Sequence, residues 1–171
     1  MTPELSAGNR GDSLLGFLPN AIREPRRPLT ALAVGWLLTF PVSIAMAAVV
    51  SLLVPDAAKP EFNVSGLTAL FLLAVFAPVI ETLIMGGVLL ILLRFVSPAA
   101  AVLLSSFGWG VAHSIGAPTW GLVIWWPFLI FSTLFVTWRS RGLLAAFAMP
   151  AVAHALHNLP SAILVAYTDL A

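Results

Sequence analysis

The chain has 171 residues, 60% of them hydrophobic and only 9% charged, with a mean hydropathy of +1.02. These values exclude a soluble globular domain and describe an all-α, polytopic transmembrane bundle of about five spans, with no length left for a separate soluble domain. The net charge of +1 points to no nucleic acid or other strongly charged partner, and the absence of cysteine excludes disulfides, thiolate nucleophiles and cysteine metal sites.

Residues 1–28 are polar and rich in Gly and Pro, without the short apolar core and cleavage site of a signal peptide, so they are expected to form a cytoplasmic N-terminal tail ahead of a membrane domain over 29–171. Apolar segments follow at 29–54, 66–96, 98–115, 119–138 and 142–168, each read as a helix. The breaks between them are turn-forming: PDAAKPEFNVSG, then Ser97-Pro98, then GAPT, then RSRG. The second segment is longer than a bilayer requires, and Pro78 is the expected point of a kink. No internal repeat or low-complexity tract interrupts the pattern.

Charge orients the bundle. Five spans with a cytoplasmic N-terminus put Arg10, Arg23, Arg26, Arg27, Arg94, Arg139 and Arg141 inside and Lys59 outside. The same topology puts Asp56, Glu61, Asp169 and the C-terminus outside, with Trp120 and Trp138 at depths where aromatic anchors are expected. Small size and the lack of organelle signals suggest a prokaryotic plasma membrane, and the lipid bilayer is the one partner composition demands. Nothing in the sequence specifies an oligomeric state.

Four polar side chains interrupt the apolar runs: Glu81, His113, His154 and Asn158. Facing lipid, each would cost several kcal/mol, so the expectation is that they face one another. Helix rise supports this. At ~1.5 Å per residue, Glu81 lies roughly 20 Å above Arg94, His113 roughly 22 Å above Pro98 and His154 roughly 18 Å above Gly142, one shared depth on three helices. His154 and Asn158, four residues apart, occupy one helix face. His157 is turned about 100 degrees from Asn158, and is either a neighbour of the site or a packing residue. Pro78 and Pro150 stand just before Glu81 and His154, where freed carbonyls are tolerated if they line a cavity. Gly86, Gly87, Gly108 and Gly110 are candidates for close helix packing, and Ser105 and Ser106 for bonds to backbone carbonyls.

APVIETLIMGG around Glu81, WGVAH ending at His113 and HALHN from His154 to Asn158 resemble the three ordered motifs of the CPBP family of intramembrane proteases, which includes type II CAAX prenyl proteases and bacterial Abi, or bacteriocin-processing, proteins. The resemblance covers about residues 66–165. It departs from the family pattern where Thr82 replaces a second glutamate, Gly86 an arginine and Trp109 a phenylalanine. Loss of an acid together with its counter-charge is electrostatically self-compensating.

The resemblance implies an intramembrane glutamic endopeptidase acting on a peptide or membrane-protein substrate. Glu81, paired with His113, would hold a water and take its proton. His154 and Asn158 would donate to the oxyanion of the tetrahedral carbonyl. No obligatory cofactor is favoured; were a divalent metal such as zinc bound, Glu81, His113 and His154 would be its ligands. The sequence lacks the HExxH, GxSG and GxGD motifs of other intramembrane proteases. Two readings from other classes stay open: a catalytically inactive membrane scaffold or immunity protein, and a small proton-relay transporter, since buried Glu and His also mark ion paths.

Overall fold

The computed structural model describes residues 15–168, so Arg10 and Asp169 lie outside the described residues. The described residues are 78% helix, with no strand among them. A short helix α1 (Asn20–Arg23) precedes α2 (Pro28–Leu53), which opens with proline at a position whose N–H has no helical partner in any case. The second span is composite: α3 (Gly66–Phe71), a π-helical turn (Leu72–Phe76) and α4 (Ala77–Leu92). α5 (Pro98–Ser114) begins on Ser97, whose hydroxyl accepts the Ala100 N–H at 3.3 Å, with Pro98 as its first helical residue. α6 (Gly121–Trp138) ends in a 3₁₀ turn (Arg139–Arg141), and Gly142, at φ 104°, reverses the chain into α7 (Leu143–Tyr167).

Four spans, Pro28–Leu53, Gly66–Leu92, Gly121–Arg141 and Leu143–Tyr167, are long and apolar enough to cross a membrane. α5, with 17 residues, sits at the short end of the usual spanning length. The protein is an integral membrane protein, a helical bundle with its elements where hydropathy places them.

α6 is the central helix and touches α2, α4, α5 and α7. Its Phe128, Phe131 and Phe135 are all but fully buried. Where lipid is as apolar as the core, such packing holds helices together mainly by dispersion and close approach. Close approach is visible at Gly110 and Gly121: a β-carbon at Gly121 would strike the Gly110 carbonyl and Ser114 Oγ across the α5–α6 interface. Gly87 and Gly108 have open space, so of the four glycines singled out by sequence, only Gly86 and Gly110 stand at tight contacts. Ser106 bonds its own helix at Leu103 O, whereas Ser105 accepts from Ser132 of α6 at 3.2 Å.

Residues 15–27 belong to the packed structure: Leu15, Leu18 and Ile22, spaced to share a face, are buried in the core, and Arg23 Nε closes the turn on Leu18 O at 2.8 Å. Arg141 Nε ties the same segment to the α6–α7 turn through Pro25 O at 3.0 Å. Trp138 is buried in the core cluster and Trp120 lines a cavity, so both also pack within the bundle.

One proline inside a helix leaves a carbonyl without a backbone donor, and a side chain from another helix fills it. Pro160 cannot donate to Leu156 O, and Trp36 Nε1 of α2 does so instead at 3.1 Å. α3 and the π turn pack against α7 and do not touch α5 among the described residues, which opens space between them on the side away from the arginines.

Candidate active site

A cavity of about 700 Å³ occupies that space. It runs along α7 from His154 to Val165 and along the second span from Glu81 to Leu73, and residues 58–62 of the α2–α3 loop line its mouth. Eight to eleven residues of helix make it roughly 12–16 Å deep. Its walls are mainly apolar, including Ile44, Ala117, Trp120, Val123 and Phe128; Lys59 and Glu61 belong to the loop at its mouth, and Glu81 and His154 mark its inner end.

Glu81 lies in the second turn of α4, just beyond the π turn and Pro78. One Glu81 carboxylate oxygen stands 3.8 Å from His154 Nε2, with the Glu81 side chain 27% and that of His154 5% exposed. At that separation the pair is within Coulombic reach without a direct hydrogen bond. The His154 ring is held flat against Phe131, with centroids 4.7 Å apart and planes 25° apart, and Phe128 meets it edge-on at 5.3 Å. Two α6 side chains thus fix the imidazole by shape, since its Nδ1 is buried without a hydrogen-bond partner.

His113, near the end of α5, turns Nδ1 toward the Trp109 carbonyl at 2.9 Å. A carbonyl only accepts, so Nδ1 carries the proton and, in the neutral ring, Nε2 keeps a free lone pair. Trp109, in the place of the usual phenylalanine, stacks on Phe128 at 4.4 Å and supports the same ring. The expected direct pairing of Glu81 with His113 is absent among the described residues, because His113 is tied to its own helix and the imidazole within reach of Glu81 is that of His154.

Asn158 donates from Nδ2 to Leu73 O in the π turn, at 3.1 Å. His157, which helical spacing alone leaves between neighbour and packing residue, also lines the cavity. It is nine-tenths buried, edge-on to Phe40 and Phe131, and its Nδ1 has no partner. A second histidine three residues after His154 was the available signal; its angular offset from Asn158 concealed that the cavity wraps around α7. Thus Glu81, His113, His154 and Asn158 line one cavity together with His157. Among the described residues, no three His or acidic side chains are close enough to hold a metal ion, so Glu81, His113 and His154 do not form a ligand cluster.

The departures in the first motif have a structural counterpart. Thr82 is buried, and its hydroxyl has no partner. A β-carbon at Gly86 would run into the rings of Phe135 and Phe147, which pack edge to face at 5.0 Å. An aromatic pair therefore occupies the space beside position 86, and an arginine there would have no room.

A family model described as type II CAAX prenyl endopeptidase Rce1-like matches residues 63–160, more than half of the chain and all four polar positions. No curated protein and no solved structure matches.

Proposed function

The chain belongs to the Rce1-like family of type II CAAX prenyl endopeptidases, and on that premise we propose that it is an intramembrane endopeptidase in which Glu81 activates water. The approach of Glu81 to His154 at the inner end of the cavity carries this reading. Among the described residues, no lysine or arginine stands within salt-bridge distance of this carboxylate, which leaves it available to take a proton from water. The free Nε2 of His113 is a second acceptor for the same water, so attack on the peptide carbonyl is direct and passes through no acyl-enzyme.

His154, immobilised between aromatic rings, and Asn158, whose amide retains a second N–H, supply donors for the oxyanion. A preorganised donor acts mainly on the chemical step, so its loss lowers kcat more than it raises KM. The cavity mouth at residues 58–62 and the apolar walls suit an extended, largely apolar peptide segment. The arginine-rich end is read as cytoplasmic, with the cavity opening toward the opposite face of a prokaryotic plasma membrane. No metal is required by this chemistry.

The test is proteolysis of quenched fluorescent peptides, prenylated and unprenylated, by the full chain in detergent. Wild type is to be compared with Glu81→Ala, His154→Ala and Asn158→Ala, with and without chelator. Cleavage abolished by Glu81→Ala and indifferent to chelator supports the reading. Chelator sensitivity moves it to a metallopeptidase, and equal background in every variant favours the inactive scaffold that the altered first motif would allow.

A further inference from the structure

Asn158 is bound to an acceptor whose availability is created by the second span. In the π turn the Ala77 N–H donates to Leu72 O, which uses the donor that an α-helical register would give Leu73. In the five-residue register the next donor for Leu73 belongs to residue 78, a proline without an N–H. The Leu73 carbonyl thus has no donor in its own helix, in a part of the bundle where an unsatisfied carbonyl is costly. Asn158 Nδ2 reaches it from α7, 85 residues away in sequence, at 3.1 Å.

A primary amide is planar and carries two N–H groups, so fixing one fixes the direction of the other. We propose that Pro78 is a positioning residue for Asn158: by emptying the Leu73 carbonyl it captures one amide N–H, locking the second toward the cavity that Glu81 and His154 line. The same bond clamps α7 to the span that carries Glu81, three residues beyond Pro78, and so helps set the separation of Glu81 from His154. The inference rests on the reading of Asn158 as an oxyanion donor and identifies what aims it.

A double-mutant cycle on the full chain in detergent tests it, with Pro78→Ala and Asn158→Ala read by thermal unfolding and by peptidase kinetics. Restoring an N–H at position 78 gives Leu73 O a backbone donor. Asn158→Ala should lower Tm by roughly 5 °C in the wild-type background and by no more than about 1 °C in the Pro78→Ala background. If Asn158→Ala folds only in the Pro78→Ala background, the coupling is shown in its strongest form. Additive Tm changes overturn the proposal. Pro78→Ala alone should keep or raise Tm while lowering kcat about tenfold at unchanged KM, because the amide is released from its lock. A merely structural kink would shift Tm and leave kcat alone, and full kcat in Pro78→Ala rules out the positioning role. If the wild type cleaves nothing, the peptidase reading fails, while the thermal cycle still decides whether Pro78 hands this carbonyl to Asn158.

Discussion

α6 and the second span are both long and apolar, yet they are built on opposite lines. Two-thirds of the α6 window is buried, against 28% for Gly66–Leu92. α6 carries no ionisable residue between Gly121 and Trp138 and presents stacked aromatic rings to its neighbours. The second span is interrupted by a π turn, contains Pro78, and holds the Glu81 carboxylate at the inner end of the cavity. Density and chemistry are thus separated: the tightly packed helix gives the site its walls and fixes an imidazole by shape, while the interrupted helix supplies the acid and an open carbonyl. A helix with every backbone bond made would offer neither the carbonyl nor the space in front of it.

This division predicts that the two regions fail in different ways. Glu81→Gln keeps the shape of the side chain and removes the base, so peptide hydrolysis should fall by roughly a thousandfold, about 4 kcal/mol of barrier, with Tm in detergent nearly unchanged. A large Tm loss in that variant would give Glu81 a packing role like that of the α6 aromatics and break the contrast. Phe131→Ala should show the reverse order of effects. Loss of a buried ring that touches both His154 and His157 should cost about 3 kcal/mol of stability, seen as a Tm drop of roughly 6–12 °C, with slower turnover as a consequence of a loosened His154. Normal stability with lost activity would instead move α6 into the chemistry.

The fold was legible in the sequence because bilayer thickness and turn-forming breaks leave few arrangements for five apolar segments. Constant helix rise led to the expectation of one shared depth for Glu81, His113 and His154, and all three line one cavity. Azimuth was harder to read. Spacing places His154 and Asn158 on one face, but which imidazole meets Glu81 depends on the rotation of three helices about their axes. The π turn adds a residue to a helical turn before Glu81 and shifts that rotation, with no sequence mark beyond Pro78. The buried segment 15–27 was hidden for another reason. Its three buried apolar residues, Leu15, Leu18 and Ile22, stand among glycine, prolines and charges, and their spacing on a helical face is too short a signal to outweigh that composition.

Gly86 is where the two regions meet, since α6 Phe135 and α7 Phe147 close over it. Gly86→Leu should therefore cost about 2 kcal/mol through overpacking, with Phe147→Ala restoring part of the loss in the double variant. If Gly86→Leu is neutral, the aromatic pair yields more easily than its packing implies, and the room for the family's arginine is latent and not filled.

The smallest effect should come from Trp36, which sharpens the contrast because it supports an interrupted helix away from any acid. Trp36→Phe keeps an aromatic ring beside Phe40 and removes the N–H that satisfies Leu156 O, for a loss of about 1 kcal/mol, or a Tm decrease of roughly 2–4 °C. Turnover should be unchanged, because this carbonyl is filled by a side chain that touches no reacting group. Asn158 also fills an open carbonyl, but it lines the cavity, so its loss should be felt in kcat. The two donors meet the same backbone requirement at proline-interrupted helices, and location alone should separate a purely structural filler from one that has been drawn into the chemistry.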